Sequence, residues 1–169
     1  MADCDAENTD AENNPTENNA DDGTEVIKVS VESDPKYLEP LRVVISEATG
    51  ILGLDEELTG QIVLAVTEAC ANVIRHCYEC KDRERIDVTL RFGSGRFEVR
   101  IDDYGEFVDP SCMKGREIED VKPGDLGLHF IHSVMDEVEY EKNKWGGTTL
   151  TMVKHIERAV SDDAWMIEE

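Results

Sequence analysis

Two short runs of the chain leave the rest little freedom. Ile86, Val88, Leu90 and Phe92 alternate with polar residues, Phe97, Val99 and Ile101 do the same, and Gly93-Ser94-Gly95 joins the runs. Strand side chains point to opposite faces with period two, so this reads as a hairpin with one apolar and one polar face. An apolar sheet face must be covered by a second layer.

The cover is present in the same chain. Leu58, Ile62, Ala65, Val66, Ala69 and Val73 form the stripe of a long amphipathic helix. Asp55 is its predicted cap, Glu56 and Glu57 suit its positive end, and the pattern carries it to about Tyr78. Before it, Leu38, Leu41, Ile45, Ala48 and Leu52 predict another helix that starts at Ser33-Asp34-Pro35 and closes at Gly50 and Gly53. Pro40 is tolerable only within the first turn, so the regular part begins late. Leu128, Ile131, Val134 and Met135 predict a further helix. Thr24 to Glu32, with Ile27, Val29 and Val31 on one side, reads as a strand. Val138 with Tyr140, the turn Trp145-Gly146-Gly147, and Leu150, Met152 and Ile156 read as a closing hairpin. The order is strand, helix, helix, hairpin, loop, helix, hairpin. It predicts an α+β two-layer sandwich, with helices on one face of a mixed, mostly antiparallel sheet.

Charge narrows the partners. The formal net charge is −22, and residues 1 to 25 hold nine acids and no Lys or Arg. The remaining 30 acids against 17 bases still leave −13. Such a surface repels phosphate backbones, so direct nucleic-acid binding is not expected. It suits either a protein partner or plain solubility. Residues 1–23 have almost nothing apolar to bury and are expected to be a disordered acidic tail; residues 157–169, with Trp165, form an acidic C-terminal tail. No basic start leads into an apolar run, and no stretch approaches the roughly 20 apolar residues of a membrane span. The five cysteines are odd in number and loosely spaced, which fits a reducing cytoplasm. Cys77-Tyr-Glu-Cys80 has no second pair at zinc-ligand spacing, so it reads as helix-end thiols before metal or redox use.

Three blocks carry candidate chemistry. Glu68, Asn72 and His76 fall at steps of four on the long helix and project from nearly one face. The side-chain oxygens of Glu68 and Asn72 suit magnesium, although solvated helix residues have the same pattern. Asp103-Tyr-Gly105 places a carboxylate at a strand end, where it can accept from an exocyclic amine, and Gly105 lets a flat ring approach the backbone. A plain turn looks alike. Gly124-Asp-Leu-Gly127-Leu128 is a glycine-bracketed helix start after a long loop, which is either a phosphate site or a pair of hinges. That loop offers Lys114, Arg116 and Lys122 for a γ-phosphate without choosing among them.

In this order, the blocks resemble the bacterial anti-sigma-factor serine kinases, of the superfamily that holds gyrase, heat-shock chaperone, histidine-kinase and mismatch-repair ATPases. The resemblance covers about Val26 to Ile156. It implies a histidine-kinase-like, Bergerat-type ATP-binding domain over residues 24–156, with ATP and Mg2+ as cofactors. Glu68-Ala-Cys-Ala-Asn72-Val-Ile-Arg-His76 is similar to the first ATP box, which implies Asn72 as the magnesium ligand, Glu68 as base toward a serine hydroxyl, and His76 within the nucleotide site. Asp103 and Gly105 match the adenine-binding box, and Gly124, Gly127 and Leu128 match the box that closes on the phosphates. The closing hairpin matches from Ser133 to Tyr140 and from Gly146 to Lys154, which implies Thr148 or Thr149 near the adenine. Phe107 stands where the superfamily has a second glycine, and Cys77 stands where a glycine is expected.

The resemblance implies phosphoryl transfer to a serine of an anti-sigma-factor antagonist, with sequestration of a sigma factor, in the cytoplasm and without a membrane partner. A homodimer is one expected assembly, and Arg42 on the first helix is a candidate partner contact. The alternative is a nucleotide-binding regulatory module of the same fold without kinase turnover. A detached histidine-kinase ATP domain fits less well, since no second helical segment remains to form a dimerising pair.

Overall fold

Chain direction is what brings the three blocks together. The computed structural model describes residues 25–77, 84–93, 95–107 and 125–156. Strand β1 (Glu25–Glu32) leads through a short 3-10 turn, Pro35–Tyr37, into helix α1 (Leu38–Ile51) and then α2 (Glu56–Asn72). Strands β2 (Arg85–Gly93) and β3 (Arg96–Asp103) follow, then α3 (Asp125–Val134), β4 (Glu137–Lys142) and β5 (Thr148–His155). The strands lie in the order β1-β2-β3-β5-β4. Both expected tails, Trp165, Gly124, Cys80 and the loop with Lys114, Arg116 and Lys122 lie outside the described residues.

The expected order of elements and the two-layer α+β architecture are observed, with one adjustment. The sheet is wholly antiparallel, not mixed. Two helices connect β1 to β2, so the chain turns twice and returns antiparallel. The single-helix crossover from β3 to β4 does leave those strands parallel, but β5 inserts between them and removes the parallel contact.

Local rules account for the helix ends. Asp34 accepts from the Lys36 N–H at 2.9 Å, and Pro40 falls in the first turn of α1. Gly50 does not end α1. It lies in the last turn, and the stop is made by Gly53 at φ 68°, with the Leu54 N–H donating back to the Thr49 carbonyl at 3.2 Å. Asp55 caps α2 through the Leu58 N–H at 2.8 Å. The α-helix then ends at Asn72, short of Tyr78, and residues Val73–Cys77 continue as a π turn. Wide turns of this kind are frequent at functional sites.

The core is the interface between the layers. Val88, Leu90, Phe97, Val99, Ile101 and Met152 face Leu41, Ile45, Ile62, Val66 and Ile131, all essentially fully buried. Burying a Leu, Ile or Phe side chain is worth roughly 1.5–3 kcal/mol, so this face dominates stability. Cys70 is also buried there, and desolvation pushes its thiol up to about 12. The other sheet face is polar. The register places Ser30, Asp87, Asp102 and Thr149 in one row across it. Ser30 donates to Asp87 at 2.6 Å, and Arg100 bonds both oxygens of Asp102. Among the described residues, no helix is long and apolar enough to cross a membrane.

Candidate nucleotide site

One end of the sandwich collects all three blocks. The π turn after α2 ends at Cys77, and the chain resumes its sheet at Arg85, which pairs with Glu32, while Ile86 pairs with Asp103. The C-terminal ends of α2 and β3 and the start of β5 therefore share that end.

Asp103 lies on the helix-facing side, because its cross-strand partner Ile86 is a core residue and directly opposed residues share a face. It is 1% exposed. Its Oδ1 accepts from the Gly105 N–H at 3.0 Å and the Thr148 N–H at 3.1 Å. Its Oδ2 has no partner among the described residues. A carboxylate oxygen with lone pairs to spare can accept from any donor that reaches it. Tyr104 is turned the other way, and its hydroxyl donates to Asp87 on the polar face. Thr149 also goes to that face, where its hydroxyl bonds the Asp102 carboxylate. Of the two threonines, Thr148 is the one at Asp103, through its backbone.

On α2, the side-chain oxygen of Asn72 is buried and has no hydrogen-bond partner among the described residues. Leaving such an acceptor unmade costs about 1–3 kcal/mol, which makes this oxygen a candidate to hold a ligand. Glu68 lies one turn earlier. Its Oε1 is 3.1 Å from the Arg75 guanidinium, with the glutamate side chain 26% exposed and the arginine 42%. His76 lies in the π turn on the same helix end.

Two glycines are closely approached, and Gly147, which faces main chain, is required. A Cβ on Gly127 would stand 2.5 Å from Glu68 Oε1, so the first turn of α3 rests on that carboxylate. A Cβ on Gly147 would stand 2.3 Å from the Asp103 carbonyl oxygen. Leu128 is half-buried in the same turn of α3. The structure thus joins Glu68 to Gly127, and Asp103 to Gly105 and Thr148. Asn72, His76 and Leu128 stand on the elements that carry these contacts.

Two residues of this end were not singled out as site residues from sequence. Arg75 reaches Glu68 across two helical turns, a spacing that places side chains on one face. Asn143 binds the backbone of the β4–β5 connection and the Asp103 carbonyl, and its signal was an asparagine at a turn start, where Asn side chains bond nearby main chain.

The residues fit magnesium in a specific way. Among the described residues, no group of three or more His, Cys, Asp or Glu could hold a metal ion. Magnesium needs no such cage, since it keeps several waters and uses few protein ligands beside substrate phosphates. The orphaned Asn72 oxygen suits that role.

The family model for the histidine kinase-like ATPase domain matches residues 31–154. The chain is 28% identical over 149 residues to the serine-protein kinase RsbW of Bacillus pumilus, covering 79% of this chain and 88% of that protein. It is 28% identical to the RsbW of Bacillus subtilis, over 78% and 86% of the two chains, and 27% identical to that of Listeria monocytogenes, over 82% and 92%. Among solved structures, the RsbU and RsbW domains of Rv1364c from Mycobacterium tuberculosis share the fold at a TM-score of 0.55 and 15% identity, over 78% of this chain and 32% of that one. With the all-antiparallel sandwich and the three blocks at one end, these matches place the chain in the histidine kinase-like ATPase domain family, with the anti-sigma-factor serine kinases.

Proposed function

We propose that the chain is an ATP-dependent serine kinase that acts as an anti-sigma factor, phosphorylating a serine of an anti-sigma-factor antagonist and otherwise sequestering a sigma factor. The observation that carries this reading is the Asn72 side-chain oxygen, buried without a partner among the described residues one turn from Glu68. The relatives' name, serine-protein kinase, supports it.

Each residue then has a task. Asp103 accepts from the exocyclic amine of adenine, and Gly105 with the Thr148 turn admits the ring. Asn72 holds Mg2+, which when bound neutralises charge on the phosphates. Gly127 and Leu128 lie in the first turn of α3, and a helix start favours phosphate; Gly124 and His76 are assigned to the same nucleotide by the resemblance. Glu68 takes the serine proton as the serine oxygen bonds the γ-phosphorus and the bond to the β–γ bridging oxygen breaks, releasing ADP. Such chemistry rests mainly on positioning and charge neutralisation. The domain spans residues 24–156 between two acidic tails, and the setting is cytoplasmic. The charge of −22 favours protein partners over nucleic acid.

One observation favours the second reading, a nucleotide-binding module without turnover. Arg75 already occupies the Glu68 carboxylate. Labelled ATP with magnesium and a purified candidate antagonist separates the two. Transfer of label that is lost in Glu68→Gln supports the kinase, while nucleotide binding without transfer leaves the module. If Asn72→Ala bound ATP–magnesium as tightly as wild type, the site itself would be wrongly placed.

A further inference from the structure

Asn143, between β4 and β5, uses its whole side-chain hydrogen-bonding capacity. Its Oδ1 accepts from the Trp145 and Gly147 N–H groups, both at 3.0 Å. Its Nδ2 donates to the Asp103 carbonyl at 2.7 Å and to the Thr148 carbonyl at 3.1 Å. Its own N–H reaches the Gly147 carbonyl at 2.9 Å, and its carbonyl accepts from Gly146 at 3.1 Å. The Oδ1 bonds suffice to shape the turn. The Nδ2 bonds tie that turn to the end of β3.

This tie holds the turn against the strand end that carries Asp103. With the turn held on β3, the Thr148 N–H lands on Asp103 Oδ1, beside the Gly105 N–H. Both internal donors are spent on one oxygen, and Oδ2 remains as an acceptor. An ionised carboxylate oxygen can accept but cannot donate. It therefore rewards a ring with an exocyclic amine and repels one with a carbonyl at the same place. Gly147, which must lack a Cβ against the Asp103 carbonyl, keeps the same approach open.

We propose that Asn143 is the positioning residue for purine selection, acting through Asp103 on the choice of a 6-amino over a 6-oxo purine triphosphate. The inference rests on the nucleotide reading above. No other side chain replaces it: aspartate has the shape but lacks both Nδ2 protons, and would set a carboxylate oxygen against two carbonyls.

The test is calorimetric titration of the full chain, with magnesium, by ATP and by inosine triphosphate, for wild type and Asn143→Asp. Aspartate retains the acceptor that shapes the turn and replaces the two donors of the tie with an oxygen that repels the Asp103 and Thr148 carbonyls. Wild type should prefer ATP by about tenfold or more. Asn143→Asp should bind ATP about tenfold more weakly while its affinity for inosine triphosphate changes less than about twofold, so the preference collapses. Equal losses for both nucleotides, or no loss for ATP, overturn the inference and leave the nucleotide site standing. No ATP binding by wild type overturns the nucleotide reading itself. If Asn143→Asp does not fold, amide exchange in the wild type decides: protected Asn143 Nδ2 and Thr148 N–H protons support the tie, and free exchange of either removes it.

Discussion

Arg75 and Glu68 meet across two turns of the same helix end, guanidinium nitrogen to carboxylate oxygen at 3.1 Å. On the proposed mechanism, the pair ties up the carboxylate that takes the serine proton. Partly exposed ion pairs contribute about 1 kcal/mol or less, so the contact is easily exchanged. Arg75→Ala should therefore raise the phosphotransfer rate about two- to fivefold while ATP affinity stays within about twofold. Single-turnover kinetics with the antagonist in excess would measure it. A fall in rate would instead make Arg75 a contributor to the chemistry.

Gly127 and Gly147 should separate activity from stability. A methyl group at 127 meets the flexible Glu68 side chain, which can swing aside. Gly127→Ala should leave the melting temperature within a few degrees and cut phosphotransfer about tenfold. A methyl at 147 meets the Asp103 main chain, which cannot move without breaking the β3–β5 pairing. Gly147→Ala should lower the melting temperature and abolish nucleotide binding together. Thermal melts paired with nucleotide titration would check both.

Cys70 is fully buried, and burial pushes its thiol up to about 12. Thiolate is the reactive form, so Cys70 should resist alkylation in the folded protein and react only on unfolding. Mass spectrometry after a short pulse of iodoacetamide, with and without denaturant, would show this. The sign of the pH effect follows. The unfolded thiol ionises near 9.0, whereas the folded one holds its proton to about 12. Tyr140, also desolvated, goes from 10.0 to about 12. The folded state thus binds more protons in this window, and stability should fall as pH rises from about 9 toward 12. Alkaline denaturant titrations would detect it.

Asp136 joins the start of β4 to the end of β5. Its carboxyl is held below the usual range, first by the Lys154 ammonium at 2.9 Å, and also by the His155 N–H at 2.7 Å. Its contribution is present above the unfolded carboxyl value and is lost as pH falls through the lowered one. The group is well exposed, so Asp136→Asn should cost about 1 kcal/mol or less at neutral pH, and the difference from wild type should vanish in acid. Urea melts at pH 7 and pH 2.5 would measure both.

The fold was legible because apolar spacing reports burial directly. Val88, Leu90, Val99 and Ile101 alternate as a one-faced sheet must, and Ile62, Ala65, Val66 and Ala69 recur as its cover must. Asp55 capped as its position implied. The antiparallel neighbours of β3 were less accessible, because insertion of β5 depends on strand order and not on any segment's own pattern. The end of α2 at Asn72 was missed for a related reason: Val73 and Ile74 stay buried and apolar through the π turn, so the hydrophobic signal continues where the α-helix does not. At the site, Asp103, Glu68 and Gly127 announced themselves as residue types in a known order. Asn143 did not, because its partners are main-chain atoms up to 40 residues away, and main-chain atoms leave no trace in a sequence.

Asp102 and Asp103 are neighbours with opposite duties. One is locked to Arg100 and Thr149 on the polar face, and the other opens toward the helices. Because strand side chains alternate, a slip of β3 by one residue against β5 would exchange them. The carboxylate now clamped by an arginine would face the pocket, and the acceptor would turn to solvent. The Arg100–Asp102–Thr149 lock is thus a reading-frame marker for the strand: it keeps the proposed nucleotide site from being built with the wrong aspartate.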